Sequence, residues 1–265
     1  MQTGDELVID AHELRQLDSG WEVAACAPDA VPDPAAAAGL DWIAAAVPGT
    51  AAGALRSAGR WDFDSDRDFD QEDWWFRTAF EAAPADVGEE VVLRFRGIAT
   101  VHEVFLNGEL IHAGDSMFAA ASVDVGTALR KGGNELAIRC RALAPLLGGR
   151  RKPRARWRTK LVDGRLRFFR TMLLGRAPGF APQPAAVGPW RPVSVGRRRL
   201  VVGDVLPLRS RVDGEDGVLG VTAKVRGLGD FEVRAAAATI GEGAASGPLE
   251  VLSAAGNEVE LSGEL

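Results

Sequence analysis

The 265-residue chain has no tyrosine, two cysteines and three histidines. Tyrosine chemistry and tyrosine-rich binding surfaces are therefore excluded. Cys26 and Cys140 stand far apart, which makes neither a disulfide framework nor a zinc ligand set and fits a reducing, cytoplasmic compartment. His12, His102 and His112 leave little material for histidine-based metal or acid–base sites. No run approaches about 18 apolar residues, so no membrane partner is expected. The acidic start MQTGDELVID lacks the apolar core of a secretory signal. A net charge of -6 argues against a chain that coats nucleic acid as a whole. Gly-x-Ser-x-Gly, P-loop and Gly-x-Gly-x-x-Gly patterns are all missing.

What is present reads as short strands. Val91 to Arg96 alternates, with Val91, Leu93 and Phe95 on one face. Asn107-Gly108 between two apolar runs predicts a type I′ hairpin, because that turn needs positive φ at both positions. A two-residue turn there pairs Glu103 with His112 and sends His102 to the other face. In Asp73 to Phe80, alternation puts Trp74 and Phe76 on one face and Trp75 and Arg77 on the other, one tryptophan in the core and one toward a groove or a neighbouring domain. Leu136, Ile138 and Cys140 share a face after the turn at 131–134, and Trp190 to Val195 reads as a strand near an edge or a strand start because of Pro192. Helices are few: Ala51 to Gly59, ending at glycine, and one or two turns in 165–174. Beyond Arg197-Arg-Arg199 the texture shifts to short strands at 218–225, 231–240, 249–252 and 259–261, separated by glycine-rich turns. That is the rhythm of a β-sandwich, with too few residues for the roughly 100 an immunoglobulin-like domain needs.

Three groups of residues invite a chemical reading. Asp62, Asp64 and Asp66 have the spacing of the first calcium-loop ligands, with Asp73 at the twelfth position. Arg67, however, occupies the position where the sharp turn wants glycine, so a solvated acidic loop held by Trp61, Phe63 and Phe69 is expected, with no metal. Residues 150–170 carry ten Lys or Arg against Asp163 alone, interleaved with Trp157, Phe168 and Phe169. Such a mixture suits single-stranded nucleic acid, but a basic run beside an acidic remainder is expected to meet the acidic loop or another domain instead, with no nucleic-acid partner. Asn134-Glu135 and Asn257-Glu258 match a dipeptide that often bears a glycosidase acid, yet each follows glycine and opens a strand, so each reads as a turn.

Several stretches occur together in order: Leu17 to Trp21, Val47-Pro-Gly-Thr50, Asp73 to Arg77, Phe95 to Thr100, Val104-Phe-Leu-Asn-Gly108, Gly114 to Phe118, Gly133 to Leu136 and Gly188-Pro-Trp-Arg-Pro-Val193. The set resembles the N-terminal sugar-binding domain of glycoside hydrolase family 2, and within it the β-mannosidase branch. The resemblance implies an all-β chain: a jelly-roll, galactose-binding-like β-sandwich over 1–197, then an incomplete immunoglobulin-like β-sandwich over 198–265. It also implies a TIM barrel as an intramolecular partner, carrying both catalytic glutamates. A barrel needs about 250 residues, so no catalytic residue is assigned to this chain, and no cofactor. Where the family usually has Gly-Trp-Asp-Trp-Gly-Pro, with its Asp reaching the sugar, this chain has Ala177 to Pro182, with Gly179 at the Asp position and Phe180 at the second Trp. Likewise Ser116 stands where the family usually has Asn. By the same resemblance a β-linked, mannoside-like saccharide would meet Phe180, Gln183, Arg176 and Trp75. The alternative is a free-standing carbohydrate-binding module without catalysis.

Overall fold

The computed structural model describes residues 14–148, 162, 165–177, 179, 181–202, 208–229, 232–233, 235–241 and 245–265. The chain divides into two compact units, one of residues 14–84 and 91–196, the other including residues 85–90 and 197–265. Among the described residues no helix is long and apolar enough to cross a membrane.

The larger unit is a sandwich of two antiparallel sheets. Its strands are β1 (Leu14–Gln16), β2 (Glu22–Cys26), β3 (Ile43–Ala44), β4 (Asp73–Ala82), β5 (Glu90–Phe95), β6 (His102–Leu106), β7 (Glu109–Gly114), β8 (Ala121–Asp124), β9 (Gly132–Cys140) and β10 (Val193–Arg198). One sheet runs β3-β2-β4-β9-β6-β7 and the other β1-β10-β5-β8. Alternation along β4 works as the sequence predicts: Trp74, Phe76, Thr78 and Phe80 are all buried and sit opposite Cys140, Ile138, Leu136 and Asn134 of β9. Val91, Leu93 and Phe95 close the core from the second sheet. The alternate residues of β4, β6 and β9 face the outer side of the larger sheet, which is apolar at its middle, where Trp75 packs with Val31, Ala37, Phe105 and Ala137.

Local signals explain the connections. Asp33 caps α1 (Pro34–Ala37) by accepting from the Ala36 N–H at 2.9 Å, and Pro34 occupies the first turn, where its missing N–H costs nothing. Thr50 caps α2 (Ala51–Ser57). A third short helix, α3 (Leu143–Leu147), follows β9. The expected helical turns in 165–174 are a single 3₁₀ turn, Leu166–Phe168. The strand expected from Trp190 begins at Val193.

The β6–β7 hairpin shows the expected turn, with φ of 53° at Asn107 and 93° at Gly108. Its register differs. Leu106 faces Glu109 and Phe105 faces Leu110, then a bulge intervenes, so Val104 faces His112 and Glu103 faces Ala113. One extra residue in β7 reverses the facing of that strand from His112 onward. Glu103 keeps its face and meets Arg139 of β9 through the regular β6–β9 register. His112 swings to the inner side, with its ring 5.5 Å from that of His102 and stacked on Phe95 at 6.3 Å. Burial first, and then the neighbouring His112, hold the His102 imidazole down at about 4, against the pull of the Thr100 carbonyl.

The smaller unit has strands β11 (Leu200–Val202), β12 (Leu208–Asp213), β13 (Asp216–Gly227), β14 (Ala237–Ile240), β15 (Ala245–Pro248), β16 (Glu250–Ala255) and β17 (Glu258–Glu264). One sheet runs β11-β13-β17-β16 with β12 also on β13, and β14 pairs β15. Its core is small: Ala223, Val225 and Leu261, with Leu200, Val233, Ala236, Leu249 and Val259 packed around them. Arg197 and Arg199 both pair with Glu89, and Arg198 pairs with Glu90.

Candidate functional site

The chain from Arg170 to Gly188 is the stretch where the sequence places most candidate sugar contacts. It is tied down at several points. Arg170 and Ser116 form an isolated parallel bridge, Ala177 and Ala181 an antiparallel one, and Gly188 bridges Ala99. Met117, fully buried, accepts on its sulfur from the Met172 N–H at 3.1 Å and from the Thr171 hydroxyl at 3.4 Å. Thr171 also shares a 2.6 Å hydrogen bond with Thr100. A side chain at Gly188 would meet the Phe76 ring at 2.6 Å, and φ there is +124°, so this return point into the core needs glycine.

The strongest tie is a buried ion pair. Asp70 lies in a 3₁₀ turn, Phe69–Gln71, capped by Asp68. Arg176 donates to both of its carboxylate oxygens, Nε at 2.6 Å and Nη2 at 2.7 Å. Its remaining N–H groups go to the Thr171 hydroxyl, the Met172 carbonyl and the Ala186 carbonyl. A guanidinium has five N–H donors, and all of them are used. Arg176 therefore holds the loop in shape and has no donor left for a saccharide, which corrects its assignment as a ligand contact.

The other candidates divide. The Gln183 oxygen accepts from the Ala185 N–H at 3.1 Å, so this side chain folds back on its own turn. Phe180 lies outside the described residues. Trp75 is 0% exposed and packs on Phe105 with ring centroids 5.6 Å apart. Both tryptophans of the Trp74-Trp75 pair are thus buried, because α1 and Trp42 cover the outer face of the sheet, and Trp75 cannot stack on a sugar.

The calcium-spaced carboxylates are not held together. Asp62 accepts from the Ser65 hydroxyl at 2.6 Å and the Asp64 N–H at 3.2 Å. Asp73, 1% exposed, takes Arg139 at 2.6 Å and the backbone N–H groups of Asp29 and Ala142. Burial works against the Arg139 charge, but the hydrogen bonds and charge of Asp73, joined by Asp29 and Glu103, more than offset it and hold the guanidinium above its ordinary value. Asp73 is committed to that arginine. Among the described residues no three His, Cys, Asp or Glu side chains gather as a metal-holding group. The acidic loop is held as expected, with Trp61 edge-on to both Phe63 and Phe69 at 5.2 Å. Most of the basic run 150–170 lies outside the described residues.

The anchored loop presents apolar side chains outward. Leu173 is 47% and Leu174 63% exposed, and Phe118, on the adjoining segment, is 45% exposed and edge-on to Trp190. Sequence reasoning missed Asp70 as their distant support. It sits unremarked in an acidic run, and no local pattern links it to an arginine 106 positions on.

Comparison with known proteins places this sandwich. Residues 21–191 match the family model described as glycosyl hydrolase 2 galactose-binding domain-like, and the chain belongs to that family. Beta-mannosidase B of Thermothelomyces thermophilus is 33% identical over 123 residues, 45% of this chain and 14% of that protein. Beta-mannosidase B of Aspergillus fumigatus is 33% identical over 90 residues, 33% of this chain and 11% of its own. The chain thus spans a small part of the length of these relatives. Among solved structures, the beta-D-mannosidase from Dictyoglomus thermophilum matches 81% of this chain and 26% of its own with a TM-score of 0.60 and 24% identity. The Amycolatopsis orientalis exo-chitosanase matches 96% of this chain and 29% of its own, with a TM-score of 0.57 and 16% identity. These likenesses are of fold.

Proposed function

We propose that this chain is the non-catalytic N-terminal part of a cytoplasmic β-mannosidase-like glycoside hydrolase. In this reading 1–197 is the jelly-roll domain and 198–265 begins an immunoglobulin-like domain. The loop 170–188 forms one wall of a pocket for a β-linked saccharide, completed by a barrel domain that supplies the catalytic carboxylates. The observation that carries the reading is the loop itself: a rigid frame, fixed by the buried Asp70–Arg176 pair, that leaves Leu173, Leu174 and Phe118 uncovered. An ordered apolar patch on a fixed frame suits a covering domain better than bulk water. The separate compact unit that takes in residues 197–265 and the beta-mannosidase relatives support the same reading.

The test is an assay of the purified 265-residue chain on an aryl β-mannoside, together with the mass of the native product in its own cells. No turnover is expected, and a mass well above 28.1 kDa. Turnover by the chain, or a native product of that mass, would overturn the reading.

A further inference from the structure

The turn Asn107-Gly108 joins β6 to β7, and it is a chemically labile pair. The backbone nitrogen of the residue after an asparagine can attack the side-chain carbonyl carbon, and glycine hinders that attack least. A C–N bond forms at Cγ, the carboxamide C–N bond breaks, and ammonia leaves. Water then opens the cyclic imide to aspartate or isoaspartate, so that one NH₂ has been exchanged for one OH. Packing does not shield this turn. Gly108 is exposed, and a side chain there would meet no atom within 4 Å.

The restraint lies in the Asn107 carboxamide itself, which has three partners. Its Nδ2 donates to the Ala128 carbonyl at 3.1 Å and to Asn134 Oδ1 at 2.9 Å. Its Oδ1 accepts from the Glu135 N–H at 3.1 Å. Attack makes Cγ tetrahedral and turns the amide out of its plane, and three partners fixed around that plane oppose the change. The backbone adds a further tie, from the Asn107 N–H to the Glu135 carbonyl at 2.8 Å.

We propose that Asn107 is a modification site of this chain: it deamidates when the start of β9 opens from the turn, and the product cannot close the clamp again. Aspartate at this position has no N–H to give, so a carboxylate oxygen would face two acceptors, the Ala128 carbonyl and Asn134 Oδ1. Asn134 cannot turn over to help. It is 3% exposed, its Oδ1 also accepts from the Arg130 N–H at 2.8 Å, and its Nδ2 donates to the Arg130 and Gly132 carbonyls at 3.0 and 2.8 Å. Isoaspartate also lengthens the main chain of a two-residue turn by a methylene. A single opening is thus recorded as a lasting loosening where the hairpin meets β9. The inference rests on this turn alone and is independent of the proposed function.

The experiment is incubation of the whole chain at mildly alkaline pH, once folded and once in urea. Mass spectrometry follows the amide-to-acid mass gain in the peptide that holds Asn107, and enzymatic carboxyl methylation detects isoaspartate. With three hydrogen bonds to release, the folded chain should react roughly a hundredfold more slowly than the unfolded one. At urea concentrations below the unfolding transition, the rate should rise in step with hydrogen exchange at the Glu135 amide, whose N–H is the one Asn107 holds. Asn107→Asp should speed exchange of the Arg130 and Glu135 amides about tenfold. Equal rates in the folded and unfolded chain would overturn the clamp, as would a folded-state rate that ignores the exchange of Glu135. Exchange at both amides unchanged by Asn107→Asp would overturn the one-way product. The two rate measurements use the parent chain, so they decide the clamp whether or not the variant folds.

Discussion

The two compact units close their cores with different materials. Of seven tryptophans and eleven phenylalanines, only Phe231 lies beyond Arg197. The larger unit buries Trp21, Trp74, Trp75, Phe69, Phe76 and Phe95 at under 2% exposure. The smaller unit centres on Ala223, Val225 and Leu261 and leaves Val212 80% and Leu252 62% exposed. Aromatic side chains bury the most area per residue, so the first unit can also carry buried charge, as at Asp73–Arg139 and Asp70–Arg176. In the smaller unit the Arg211 pairs with Asp213 and Glu264 are exposed on both sides. The lesson is that aromatic content, more than strand content, separates the unit that can hold a fixed site from the one that cannot.

Substitutions can break or sharpen that contrast. The largest effect is expected for Phe76→Ala, which opens a cavity between the sheets and should cost about 3–5 kcal/mol by urea unfolding. A loss under about 1 kcal/mol would mean that the sandwich core is not centred there. Arg176→Met should cost about 3 kcal/mol, because it strands the Asp70 carboxylate, and it should loosen the amides of 171–186 in hydrogen exchange. Unchanged exchange there would contradict the anchoring role.

His102 sharpens the contrast through pH. Its folded pKa of about 4 lies below its ordinary 6.5, so the folded chain keeps it neutral while the unfolded chain takes up a proton. Its contribution is fully present above pH 6.5 and is lost as pH falls from 6.5 toward 4, on the order of 2–3 kcal/mol. Replacement by glutamine should flatten stability across that window, and a slope equal to that of the parent chain would count against it. The smallest effect is expected for Leu261→Ala, about 2 kcal/mol. It should be confined to the smaller unit, with the exchange of β4, β6 and β9 unchanged.

Much of this architecture is legible before any coordinates. The alternation 74–80, the positive-φ pair Asn107-Gly108 and the glycine-ended helix after Pro48-Gly49 each carry a local cause that survives folding. What escaped notice depends on distance or on a single inserted residue. The bulge in β7 has no glycine or proline to announce it, and it alone moved His112 beside His102. Trp75 looks like a half-exposed strand residue until α1, far earlier in the chain at Pro34–Ala37, is laid across it. The Asp70–Arg176 pair joins two segments that nothing in either one connects.

The fully engaged guanidinium of Arg176 has one more consequence. Because all five of its N–H groups end inside the chain, this one side chain ties the 3₁₀ turn of Phe69–Gln71 to both arms of a loop more than a hundred residues later, so a change at the clasp would be felt at Asp70 and at the Ala186 carbonyl together.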